Sequence, residues 1–343
     1  MLIKIIAFAI ITFLVTSCNT GPEKIANINK FGGHLRFSDP SNSTIVFPHS
    51  IVNVASSRLA DQLHDGLVML NETETEVKPC IAKSWKVSED GTEYVFSLKT
   101  NVFFHDNECF DGGEGRAVTA ADFVYSFSLL STPDENNKNF SPFVDMIDGG
   151  SQFYEKGGIK KKDNVLKGVT ATNDSTLIIK LNKASGTFIY LLATPSMSVV
   201  PKEGFDKFGY RSVVGAGPFS LASIDEDSMK LVFKRNPYYF MTDNQGNILP
   251  YVDSVTIYQA TSLRKALVML KKGEIDFIQN VPSSDVAFFL EENINMFQPP
   301  KPRYILQISA VMKEWQDVVS TKLKNYHSNS INTLDLSVMQ LEN

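Results

Sequence analysis

Cysteine is scarce, with three in 343 residues, and no apolar run approaches the roughly 20 residues that a membrane-spanning helix needs. The first shortage excludes a disulfide-dense miniature scaffold, and the second excludes a multi-pass membrane protein. Basic charge is not in excess either: 33 Lys and Arg stand against 38 Asp and Glu. The single basic run, Lys160-Lys161-Lys162, is flanked by Gly157-Gly158 and Asp163 and reads as a solvated loop, so no nucleic-acid partner is expected. The five histidines, His34, His49, His64, His105 and His327, show no metal-ligand spacing. Gly-x-Ser-x-Gly, His-Glu-x-x-His, Walker and Gly-x-Gly-x-x-Gly motifs are missing. Gly215-x-Gly217-Pro218 lacks the third glycine of a dinucleotide loop, and His105-Asp106 reads as structural. Neither an enzyme nor a cofactor is expected.

What is present is a chain that can bury a sizeable core, 43% hydrophobic and 21% charged, with length for about two domains. At its start, Lys4 precedes the short apolar run Ile5 to Val15, and Val15-Thr16-Ser17 leads to Cys18. A dozen apolar residues read as a signal peptide over 1–17. The cysteine at its end resembles a bacterial lipobox, which implies acylation of Cys18 and a polar tether over 18–30.

The most informative stretch runs from Pro79 to Leu130. Trp85 and Val87, then Tyr94, Phe96 and Leu98, alternate with polar residues about Asp90-Gly91, which predicts a β-hairpin. Thr119 three residues before Asp122 predicts a capped helix start, with Val118 and Phe123 at staple positions and Phe127 and Leu130 continuing an apolar stripe. Elsewhere, His34 to Phe37, Leu231 to Lys234 and Val255 to Tyr258 read as strands, and Val165 to Leu181 as a second hairpin turning at Asn173-Asp174. Ile51, Ala55, Leu59 and Leu63 share one face of a helix that Gly66 ends, and Ser41 to Phe47 reads as an exposed loop. Ser262 to Lys272 reads as a helix closed by Gly273 with Leu263, Ala266, Leu267 and Leu270 inward, and Tyr210 to Gly217 as the chain's return to its first domain.

Several of these segments resemble, in order, the motifs of the family 5 extracellular solute-binding proteins, the peptide-binding components of ABC importers. They are Asp65-Gly66-Leu67-Val68, Pro79 to Trp85, Asp90 to Leu98, Val102 to Asp106, and Val118 to Asp122 with Tyr125-Ser126-Phe127. Val214 to Phe219 follows, with Ala216 where the family usually has Thr, then Asn236 to Phe240 and Leu270 to Asp276. The resemblance implies an α/β, periplasmic-binding-protein-like fold (type II, family 5) over 31–281. It comprises a first lobe with an inserted extra domain and an incomplete second lobe, and 282–343 is a truncated or divergent tail. It also implies a lipid-anchored subunit of the bacterial cell envelope that hands a peptide to ABC permease subunits. The ligand-lining residues implied are Ser41, Asn42, Ser43, Thr44 and Ile45, with Val214, Gly215, Ala216 and Gly217 on the hinge side. The alternative is a remnant or interaction lipoprotein that keeps the first lobe without capturing ligand. In an exported chain Cys80 and Cys109 either form a disulfide, worth about 3 kcal/mol for a loop of about 30 residues, or remain two small thiols.

Overall fold

The computed structural model describes residues 31–39, 47–71, 75–225, 229–259 and 262–279. Cys18, the segments 1–17 and 18–30, the loop Ser41 to Ile45 and the tail 282–343 lie outside the described residues. In chain order the elements begin with β1 (His34–Ser38), α1 (Val54–Leu63), β2 (Val68–Leu70), β3 (Val77–Pro79), β4 (Ala82–Val87) and β5 (Glu93–Leu98). Then come α2 (Ala120–Leu130), α3 (Phe140–Val144), α4 (Gly150–Glu155), β6 (Val169–Asn173), β7 (Thr176–Lys180), α5 (Phe188–Leu191) and α6 (Lys202–Phe208). The described part ends with β8 (Phe219–Asp225), β9 (Lys230–Arg235), β10 (Ser254–Tyr258), α7 (Leu263–Lys271) and β11 (Phe277–Ile278).

Two larger sheets organise these elements. The mixed sheet has strand order β11-β1-β10-β9-β8, with β1 parallel to both β10 and β11 and the remaining pairs antiparallel. The second sheet is antiparallel, β4-β5-β7-β6, and β2 with β3 forms a separate ribbon. Each sheet has its own core. Phe96, Phe123, Phe127, Phe143, Phe188, Leu177 and Ile179 are buried together over the antiparallel sheet, and Leu35, Phe37, Leu63, Phe219, Phe233, Val255 and Ile257 over the mixed one.

The predicted hairpin and capped helix form as read. Asp90 accepts from Ser88 Oγ at 2.5 Å and from the Thr92 amide at 3.1 Å, and Gly91 takes φ +70°, the left-handed conformation that costs a glycine nothing. At the start of α2, Asp122 accepts from both the amide and the hydroxyl of Thr119, at 2.8 and 2.9 Å. The same carboxylate takes a two-pronged contact from Arg116, at 2.7 and 2.9 Å, while Arg116 also reaches Glu203 of α6 at 2.7 and 2.9 Å. Burial works against the Arg116 charge, but these two carboxylates outweigh it and raise its pKa; in return the Arg116 hydrogen bonds hold Glu203 below the usual carboxylate range.

Three local readings are corrected. Helix α1 begins only at Val54, because Asn53 is extended and its side chain caps the Ser56 amide at 2.8 Å, so Ile51 precedes the helix. It ends at Leu63, before Gly66, since His64 is already extended. Phe47 is not exposed: it packs with Leu129, Val200, Phe205 and Tyr210. Apolar character thus outweighed the polar neighbours that made 41–47 look like one loop.

Phe127→Ala is expected to lower unfolding stability by about 3–5 kcal/mol through the cavity it opens, and Thr119→Ala by about 1 kcal/mol through loss of the cap. Urea denaturation of the two variants checks both values and their order.

Candidate functional site

Because β1, β10 and β11 run parallel, their carboxyl ends meet on one edge of the mixed sheet. Ser38 stands opposite both Tyr258 and Ile278. The junction is held by the Asp39 amide donating to the Tyr258 carbonyl at 2.9 Å and the Gln279 amide donating to the Ser38 carbonyl at 2.8 Å. Ser38 and Asp39 are buried, and Ser38 Oγ has no hydrogen-bond partner among the described residues. In open α/β sheets a crevice forms outside the carboxyl ends of parallel strands where the chain leaves in different directions. β1 lies between its two parallel neighbours, and Phe47, the next described residue after Asp39, packs beside Leu129 of α2, so this edge is the candidate crevice. The predicted ligand loop Ser41 to Ile45 joins Asp39, on that edge, to the buried Phe47. Just beyond it, Val52 and Val54 are exposed at 71% and 65%, on either side of the α1 cap.

The predicted hinge segment has a different place. Val214, Gly215, Ala216 and Gly217 are all buried where the chain returns to the mixed sheet. The Gly217 amide donates to the Leu63 carbonyl at 3.0 Å, and the Gly215 carbonyl accepts from the His105 amide at 2.8 Å. His105 Nε2 donates to the Gly217 carbonyl at 2.9 Å, which also accepts from Asn236 Nδ2 at 2.9 Å, while the Gly215 amide lies 3.4 Å from His105 Nδ1. One ring nitrogen donating and the other accepting is the pattern of a neutral imidazole. A Cβ on Gly215 would lie 2.0 Å from the Leu63 carbonyl oxygen, and one on Gly217 2.5 Å from the Leu63 carbonyl carbon. These four residues form a chain crossing against the end of α1, with the Gly215 and Gly217 backbone engaged by protein partners. His105 takes the structural role expected of it, and the Asp106 carboxylate accepts from the Gly115 amide at 2.9 Å.

Around the crossing lies a set of buried ionisable groups. His49 and His64 are pushed down to about 3 by burial, helped at His64 by the neighbouring His105 and His49. Cys80 and Tyr239 are both raised by burial and then by the Asp65 carboxylate, and Lys99 is lowered by burial. Lys99 Nζ donates to the Cys80 carbonyl and lies 4.7 Å from the centre of the Phe240 ring. Cys80 belongs to this cluster, and of the two alternatives for the cysteines the structure has both thiols free. Cys80 lines a small cavity with His64, Asp65, Thr194 and Ser198, whereas Cys109 lines another with Phe110, Asp111, Glu114, Arg116 and Glu203. Among the described residues no group of three or more His, Cys, Asp or Glu side chains is placed to hold a metal ion. Sequence reading missed Ser38, Tyr258 and Gln279 as edge residues. The strands were legible, but their parallel pairing across more than 200 residues left no local signal.

Gly215→Ala is expected to destabilise by more than about 3 kcal/mol because the clash is with backbone, whereas Gly186→Ala, with open space around it, changes stability by less than about 0.5 kcal/mol. Differential unfolding of the two variants in urea tests the contrast. The buried histidines stay neutral in the fold but charge in the unfolded chain below pH 6.5, so unfolding free energy falls as pH drops from 6.5 toward about 3. Between pH 6.5 and 4.5, above the range of the paired carboxylates, a flat stability profile would contradict the burial of both rings.

Residues 76–313 match the family described as bacterial extracellular solute-binding proteins, family 5 Middle. The periplasmic oligopeptide-binding protein OppA of Salmonella typhimurium is 28% identical over 248 residues, covering 68% of this chain and 40% of the relative. The dipeptide-binding protein of Escherichia coli is 28% identical over 247 residues, covering 69% and 43%. Among solved structures, Haemophilus influenzae OppA in complex with the peptide RPPGFSPFR superposes with a TM-score of 0.62 at 22% identity, over 78% of this chain and 50% of that one. The chain thus spans about two-fifths of the length of those curated relatives. With the fold, the ordered motifs and the match over 76–313 in agreement, the chain belongs to the bacterial extracellular solute-binding proteins of family 5.

Proposed function

We propose that the chain captures a peptide outside the cytoplasm and delivers it to the permease subunits of an ABC importer, without catalysing a reaction on it. The observation that carries this reading is the meeting of three parallel strand ends at Ser38, Tyr258 and Ile278, an edge from which the loop Ser41 to Ile45 departs. An extended peptide can be held largely through its main-chain hydrogen bonds, which supply affinity while its side chains remain variable. The relatives named for oligopeptides and dipeptides support the ligand class. The lipobox-like Val15 to Cys18 supports a lipid anchor through Cys18 in the bacterial cell envelope, on the periplasmic or outer face of a membrane.

A second reading is an interaction lipoprotein that captures no ligand. It draws on the Gly215 and Gly217 backbone being engaged by protein partners. Titration calorimetry and thermal unfolding of the chain from Cys18 onward, with a mixed peptide library, separate the two readings. Capture predicts measurable heat and a gain of about 2.7 kcal/mol in unfolding free energy at a hundredfold excess over Kd. Neither heat nor a thermal shift across the library would leave only the second reading.

A further inference from the structure

The loop from Glu155 to Lys167 carries five lysines against two carboxylates, Glu155 and Asp163. It is firmly built. Asn164 Nδ2 donates to the Phe153 and Gly158 carbonyls at 2.9 and 3.0 Å, and the Ile159 amide donates to Thr132 Oγ1 at 3.0 Å, fastening the loop just beyond the end of α2. Lys160 is committed to Asp134 at 2.8 Å and to the Pro133 carbonyl at 2.9 Å. Lys156, Lys161, Lys162 and Lys167 are exposed and form no ion pair among the described residues. Two aliphatic side chains protrude among them, Ile159 at 38% and Val165 at 66% exposure.

We propose that this knob docks on an anionic lipid bilayer. Four unpaired ammonium groups attract phosphate headgroups, and their long stems let them reach the interface while Ile159 and Val165 enter its apolar margin. Nucleic acid fits the same charge less well, because Tyr154, the one aromatic residue between 154 and 167, already has a face stacked on Phe140 at 4.6 Å, so successive bases lack a stacking platform. The membrane would be close at hand if Cys18 is acylated as proposed above; docking rests on that reading only for proximity. The mass of the acylated N-terminus is measured separately, so failure of the anchor and failure of the knob are distinguishable.

The test is hydrogen–deuterium exchange of the full chain with vesicles of phosphatidylglycerol and phosphatidylcholine, with pure phosphatidylcholine vesicles, and with soluble polyglutamate. Docking predicts at least fivefold slower exchange over 156–167 on the anionic vesicles alone. That protection disappears in the double variant Lys161→Glu, Lys162→Glu and weakens in Val165→Asp, all exposed positions whose circular dichroism should match the parent. No protection on anionic vesicles, or equal protection on neutral ones, overturns the proposal. Slowing by polyglutamate without slowing on vesicles would also overturn it and assign the knob to an acidic protein.

Discussion

The contact between the Gly215-Ala216-Gly217 backbone and the end of α1 is the constraint on which the two sheets depend. The chain leaves the mixed sheet after β1, builds the whole antiparallel sheet, and comes back through this one place. Two missing Cβ atoms let the returning backbone lie against the Leu63 carbonyl and the His64 backbone and ring. His105, which lies between β5 and α2, ties the crossing to the antiparallel side through both its ring and its amide, and Asn236, just past β9, ties it to the mixed side. The Gly217 carbonyl accepts from both side chains, so losing either one still forfeits a buried hydrogen bond in a low-dielectric interior.

The ionisable groups around the crossing follow from that closeness. His49, His64, Cys80 and Tyr239 are held in their neutral forms by burial, and Lys99 is eased toward neutrality by the same cause. Close to the crossing the solution is the opposite one: Arg116, whose carbonyl accepts from the Phe104 amide, keeps its charge and shares it between Asp122 and Glu203, joining the cap of α2 to α6. Half-exposed Arg116 retains enough water for a charged network, whereas the fully enclosed crossing does not.

Much of the antiparallel sheet was legible from sequence because its contacts are local. Asp90-Gly91 and Asn173-Asp174 mark turns between strands that pair with their neighbours, and Thr119 with Asp122 marks a helix start whose chemistry acts within three residues. The mixed sheet was legible only as separate strands, since the pairing of His34 with Ser254 and of Phe37 with Phe277 depends on contacts far apart in sequence. The family resemblance located Val214 to Gly217 on the hinge side, but not the close backbone approach to α1 that Gly215 and Gly217 permit, because a glycine motif records close approach without naming what approaches. The two cysteines flank one hairpin, which left a bridge or two thiols open; the structure has both free, with Cys80 buried and Cys109 partly exposed.

The central position of β1 also sets an order of assembly. Its parallel partners begin 220 residues later in the register that joins His34 to Ser254. In a chain that emerges from its amino end, β1 has two open edges until Ser254 to Ile278 have followed, whereas β4 to β7 can close once Lys180 is out. The antiparallel sheet is therefore able to mature first and to hold α1 and the returning segment together through the crossing. The strand that forms the floor of the candidate site is the earliest of the sheet strands to be made and among the last to be shielded, which makes it the segment most in need of protection from wrong partners on the way to the folded state.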